Sequence, residues 1–185
     1  MHQVYPNKQV KIIEPFLIFL VIGLGIIYFV NALNSGSWTW FLQRAVNVTP
    51  SRIVLVDHGE RTIFQAGQAE FNMLAEAAAQ SLSKLNNNDL VSIGLSEQTL
   101  EDYATNSVLL ELYFDSPVVF DTVARTGEPT QLLIPIEGRH SLGGYVFRGA
   151  KGEWWFGAVR MADPNPLYSA LEHLGITAET NQPAG

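Results

Sequence analysis

The stretch that decides the reading of the C-terminal half is Gly143-Gly-Tyr-Val-Phe-Arg-Gly-Ala-Lys-Gly-Glu-Trp-Trp-Phe-Gly-Ala-Val-Arg-Met161. Two runs rich in β-formers, 143–148 and 153–161, flank Gly149-Ala150-Lys151-Gly152, so the spacing predicts a hairpin. Pairing Arg148 with Glu153 sets Phe147 opposite Trp154, Tyr145 opposite Phe156 and Val146 opposite Trp155. Cross-strand aromatic pairs of this kind each contribute about 0.2–1 kcal/mol. Large rings then stand on both faces of the hairpin, as expected of strands covered on both sides.

Working outward, a second hairpin is predicted from Arg52-Ile-Val-Leu-Val56 and Arg61-Thr-Ile-Phe64 around Asp57-His58-Gly59-Glu60. Over 68–85 the period changes. Phe71, Leu74, Ala75, Ala78, Leu82 and Leu85 recur at helical steps, with Asn72, Glu76 and Gln80 opposite, which predicts an amphipathic helix lying on a sheet. The run Asn86-Asn87-Asn88-Asp89 ends it. Residues 90–95 read as a short strand, and Ser96 as the N-cap of a helix reaching Tyr103. Leu110, Leu112 and Phe114 alternate with Glu111 and Tyr113, the pattern of a half-buried strand. An edge strand is expected at 118–120, and another strand at 131–136, where Pro135 favours an edge or a bulge. Asn165-Pro166 starts a last helix with a Leu167, Ala170, Leu171, Leu174 stripe, ended by Gly175. This order implies an α+β fold, a mainly antiparallel sheet with two or three packed helices. The domain is expected over 44–176, with a flexible polar tail at 177–185.

The N-terminal part is of another kind. Residues 12–33 are almost wholly apolar and as a helix would reach about 33 Å, enough to cross a hydrocarbon core of about 30 Å. Glu14 and Pro15 fall in the first turn, where a carboxylate meets the helix N-terminus and a missing N–H costs nothing. The run exceeds the usual apolar core of a cleaved signal, so a retained anchor is expected. Lys8, Lys11 and the amino terminus precede it and Arg44 follows it. The positive-inside rule therefore places residues 1–11 in the cytoplasm and the domain outside, making a single-pass protein with the bilayer as partner through 12–33. Trp38, Trp40 and Phe41, within the linker 34–43, suit the aromatic belt of the outer interface.

Composition narrows the chemistry. The chain has 185 residues, 47% hydrophobic, with no cysteine and a net charge of −7. Disulfides, thiolate metal sites and a cysteine nucleophile are thereby excluded, and the acidic balance argues against nucleic acid as a partner. His2, His58, His140 and His173 stand at no metal-ligand spacing, so no metal and no cofactor are expected. Ser141 follows His140, but Gly138-Arg-His-Ser-Leu-Gly143 has one residue too many for a nucleophile elbow. The loop Gly149-Ala-Lys-Gly152 joins two strands and lacks the ending of a phosphate loop. No catalytic residue is assigned.

What remains is a surface. Tyr145, Phe147, Trp154 and Trp155, with Arg139 and Arg160, form the candidate binding surface, because aromatic rings beside guanidinium groups are the commonest anchors of recognition. The expected function is a non-enzymatic, membrane-anchored extracytoplasmic domain that binds a protein partner, as an accessory subunit or regulator of a membrane complex. The alternatives are a small-ligand or glycan binder using exposed aromatics and, third, an envelope hydrolase.

Overall fold

The computed structural model describes residues 13–35, 38, 48–87, 89–122 and 124–177, and the chain divides into two units, Met1–Leu42 and Gln43–Gly185. The first holds α1 (Ile13–Ser35), with Glu14 in its first turn. Its large apolar side chains are exposed all round, and over Ile13–Leu33 it is long and apolar enough to cross a membrane. The Tyr28 hydroxyl donates to the carbonyl of Trp38 at 2.6 Å, and the Trp38 ring lies 5.8 Å from that of Phe29. The other expected interfacial residues, Trp40 and Phe41, fall outside the described residues, as do the N-terminal segment and most of the tail.

The second unit is an α+β domain. Its strands are β1 (Arg52–Asp57), β2 (Glu60–Gln65), β3 (Val108–Tyr113), β4 (Gln131–Glu137), β5 (Tyr145–Ala150) and β6 (Glu153–Arg160). They form one six-stranded sheet in the order β2-β1-β3-β4-β5-β6, antiparallel throughout. The helices are α2 (Ala69–Leu82), α3 (Glu97–Thr105) and α4 (Asn165–His173). Parity along the strands sorts the core into two layers. Ile53, Leu55, Leu110, Leu112, Leu132, Ile134, Val146 and Val159 face α2 and α4. Val54, Val56, Leu109, Leu133, Phe147 and Ala158 face the other way, under Tyr103 of α3 and under Ile93 and Leu95. Ser96 caps α3 by accepting from the Thr99 N–H at 3.2 Å, as its sequence position predicts.

Both hairpins turn on two residues. His58 and Gly59 have φ of 45° and 92°, Lys151 and Gly152 of 55° and 83°, the left-handed pair that matches strand twist. This corrects the expected register of the second hairpin. The turn is closed by Ala150 and Glu153, so Arg148 does not pair with Glu153. Phe147 lies opposite Ala158 instead of Trp154, Tyr145 opposite Arg160 instead of Phe156, and Val146 opposite Val159 instead of Trp155. The cause is a bulge. Between the pairs Phe147–Ala158 and Gly149–Trp154, the single residue Arg148 stands against 155–157. Its buried guanidinium fills the bend, donating to the carbonyls of Phe156 and Gly157 at 3.1 Å each and to that of Thr126.

Three other expectations change. Residues 90–95 form no strand but one bridge, Val91 to Ala158, along the outer side of β6. Residues 118–120 hold a single bridge position, with Val118 and Phe120 buried as core. The strand expected to be half-buried, β3, is covered on both faces. Pro135 lies in a central strand, tolerated because the β3–β4 register shifts beside it and the β4–β5 pairing spans only Gln131–Leu133. Glu111 on β3 is 8% exposed. It is satisfied by Arg61 Nη2 at 2.6 Å and by the Tyr113 hydroxyl at 2.7 Å. Burial first, and then this hydrogen bond, push the Tyr113 phenol up to about 12.

Leu110 has no exposed surface. Leu110→Ala should cost about 2–5 kcal/mol in chemical denaturation, by lost transfer energy and the cavity left behind. Ile63→Ala, at a residue 51% exposed on edge strand β2, should stay within about 0.5 kcal/mol of the parent. Equal losses at both positions would contradict the two-layer core.

Candidate binding site

At the end of the sheet remote from the Lys151-Gly152 turn, the loop 138–144 bends through left-handed conformations at Gly138, His140 and Gly144, with a short 3₁₀ turn at Ser141–Gly143. It frames an open depression of about 460 Å³, which includes His140, Leu142, Tyr145 and Arg160 in its lining. Strand pairing supplies the far wall, because Tyr145 and Arg160 are direct partners across β5 and β6. Arg160 Nη2 donates to the Tyr145 hydroxyl at 2.6 Å, and the guanidinium carbon lies 4.8 Å from the centre of the tyrosine ring. Among the described residues no carboxylate lies within 4 Å of this guanidinium, and its buried Nε has no hydrogen-bond partner.

His140 forms the other wall. The Tyr103 hydroxyl lies 2.8 Å from both the Arg139 carbonyl and His140 Nδ1. A hydroxyl has one proton, so the satisfied arrangement has Tyr103 donating to the carbonyl and accepting from Nδ1–H. Burial, reinforced by the adjacent Arg139 charge, lowers the His140 pKa, which keeps the ring neutral near pH 7. Burial also raises the Tyr103 phenol. Ser141 is buried, and its hydroxyl donates to the Gly138 carbonyl at 2.7 Å. Neither group of the Ser141–His140 pair is disposed as nucleophile and base.

The six residues of the expected surface do not form one patch. Tyr145 and Arg160 come together as described. Phe147 is fully buried and supports His140 from below, with ring centres 5.4 Å apart. Arg139 is exposed and reaches α3, donating to Thr99 Oγ1 at 3.0 Å. Trp154 and Trp155 are half-buried near the other end of the hairpin. Trp154 packs with the Phe147 layer, and Trp155 lies 5.9 Å from the Arg148 guanidinium. The bulge explains the separation, because it displaces the tryptophans from the positions that simple alternation gives them.

Comparison with protein-family models, curated proteins and solved structures finds no match. The chemistry therefore rests on the residues themselves. Among the described residues no group of three or more His, Asp or Glu could hold a metal ion. His58, with φ of 45°, pairs with Asp57 at 2.7 Å and lies 3.8 Å from Glu137. The role of Tyr103 in fixing His140 was not visible in the sequence. Only its helical spacing from Ser96 was, and that spacing does not name a partner.

The two histidines should titrate in opposite directions from 6.5 in NMR spectra. His58 is raised, first by its hydrogen bond to Asp57, and His140 is lowered, first by burial. For His140 the unfolded chain binds more protons below 6.5, so its contribution to stability is complete above 6.5 and is lost as pH falls toward the folded value. Tyr103→Phe removes the acceptor of Nδ1–H and should change the His140 titration while leaving that of His58 in place. An unchanged His140 curve would contradict the hydrogen bond.

Proposed function

We propose that this chain is a non-enzymatic binding module, anchored in a membrane by its apolar helix and carrying its α+β domain outside the cytoplasm, where it engages a protein partner. The observation that carries this reading is Arg160. A guanidinium that is half-buried, oriented by a tyrosine hydroxyl, and with no carboxylate within 4 Å among the described residues has donors left for one supplied from outside. Leu142, 53% exposed beside it, offers an apolar contact at the rim. A partner presenting an acidic side chain next to an aliphatic one fits this pairing. The orientation rests on Lys8 and Lys11 before the helix against Arg44 after it.

A second reading takes support from the size of the depression, since about 460 Å³ falls within the range of small-molecule clefts. In that reading Arg160 and Tyr145 hold a small carboxylated ligand.

The test is to extract the full-length protein from its own membrane in mild detergent and determine the mass of what stays attached. A stoichiometric partner is expected. Arg160→Gln should weaken its retention about tenfold or more, as loss of a charge-assisted hydrogen bond worth about 1.5–3 kcal/mol. Leu142→Glu, a change at an exposed position, should weaken it by repelling the same acid. Recovery of the protein alone would contradict a stable complex, and retention indifferent to both variants would remove Arg160 from the interface.

A further inference from the structure

His140 has φ of 66°, a left-handed conformation that costs a residue with a side chain free energy and persists where its surroundings impose it. Three contacts hold it. Its Nδ1 lies 2.8 Å from the Tyr103 hydroxyl, whose own proton goes to the Arg139 carbonyl, also at 2.8 Å. The Phe147 ring packs against the imidazole with centres 5.4 Å apart, and the Tyr145 ring meets it at a steep angle at 6.4 Å. Since the Tyr103 proton is committed, Tyr103 accepts from the imidazole, which fixes the ring proton on Nδ1 and the lone pair on Nε2. Burial, and then the Arg139 charge, favour the neutral ring. Among the described residues no carboxylate lies within 4 Å of it. Nε2 has no hydrogen-bond partner among the described residues and is not one of the buried unsatisfied atoms, so it is open to solvent.

The depression therefore presents two unlike groups around one aromatic ring. The Arg160 guanidinium carbon lies 4.8 Å from the centre of the Tyr145 ring, the His140 ring centre lies 6.4 Å from the same point, and all three residues line the one concavity. Arg160 brings a positive charge and N–H donors; neutral His140 brings an acceptor. A bare carboxylate satisfies the first and sets its own lone pairs against the second. A neutral donor satisfies the second and leaves the charge unmet. A carboxylate with an N–H a few bonds away satisfies both. An aspartyl residue within a peptide carries that pair, because its side-chain carboxylate stands close to its own peptide nitrogen.

We propose that the depression recognises an aspartyl residue of the protein partner at two points, its carboxylate on Arg160 and its own peptide N–H on His140 Nε2. This rests on the reading of Arg160 above and gives it selectivity. An acid without the adjacent donor leaves the His140 acceptor unpaired, and unpaired polar groups are what discriminate between otherwise similar ligands. Tyr103 and Phe147 do not touch the partner. They are positioning residues that hold the imidazole in one tautomer and one orientation, while Leu142, exposed at the rim, meets the aliphatic neighbour of the aspartate.

Two probes isolate the single N–H. N-isovaleryl-aspartic acid α-dimethylamide has one N–H beside its carboxylate and an aliphatic acyl group, and O-isovaleryl-malic acid α-dimethylamide replaces that N–H with an ester oxygen. Each is titrated near neutral pH into full-length protein in detergent micelles, with binding read from the Tyr145 ring signals in NMR spectra. The amide is expected to bind about two- to tenfold more tightly than the ester, the range of one hydrogen bond. His140→Asn suits the left-handed backbone but shortens the side chain and withdraws the acceptor, so the two probes should then bind alike. Arg160→Gln should weaken both. Equal affinities on the parent protein, with both weakened by Arg160→Gln, would overturn the two-point recognition and leave Arg160 as the partner of the acid. A preference for the amide that survives His140→Asn would overturn it as well. Affinities indifferent to Arg160→Gln would overturn the reading of Arg160 and this inference with it.

Discussion

Strand β3 is covered on both faces, and the rest of the domain follows from that. An antiparallel strand commonly keeps one face in water; here Leu110 and Leu112 need a helical layer on one side, while Leu109 needs cover on the other. The layer of α2 and α4 supplies the first. The second is made from shorter pieces, α3 and the segment around Ile93 and Leu95, which lay Tyr103 and aliphatic side chains on the sheet. A carboxylate in such a strand must be satisfied locally, and Glu111 draws in Arg61 from β2 and Tyr113 from its own strand. An ion pair of this kind adds little to stability on its own, but removing one partner leaves the other group buried and unpaired.

Local patterns made the elements legible. Amphipathic period located α2, a capping serine located α3, and a Pro–Gly pair of boundary residues located α4, because these signals act within a turn or two of the residue that carries them. The same holds for the two hairpins. What could not be read was register beyond the turn. The extra residues opposite Arg148 form a bulge whose cause is tertiary: a buried guanidinium collects carbonyls from 126, 156 and 157. Nothing in the spacing of Trp154, Trp155 and Phe156 announces that. The expected surface assumed unbroken alternation, which set Phe147 opposite Trp154 and Val146 opposite Trp155; the bulge sets them opposite Ala158 and Val159. Residues 90–95 were misread for a related reason. Their β-formers cover the sheet, with one bridge from Val91 to Ala158 and the Ile93 carbonyl accepting from the Gly157 N–H.

The candidate site was half legible. Tyr145 and Arg160 could be nominated from residue type, and their pairing arises from the corrected register, not from the expected one. His140 was visible only as a histidine beside a serine; its fixed orientation depends on Tyr103, contributed by a helix that lies far from it in sequence. The resulting arrangement suits recognition better than catalysis. Its histidine has Nδ1 occupied, its serine hydroxyl is spent on a carbonyl, and its arginine has no carboxylate within 4 Å among the described residues.

The central claim is that Arg160 receives an acidic group from a protein partner outside the cytoplasm. It is tested most directly by photo-cross-linking in living cells, with benzoylphenylalanine placed at Leu142 on the rim of the depression and, as control, at Glu76 on the exposed side of α2. The account predicts a discrete adduct from position 142, none of the same mass from 76, and loss of that adduct when Arg160→Gln is added. The same adduct from both positions, or one from 142 that survives Arg160→Gln, would contradict it.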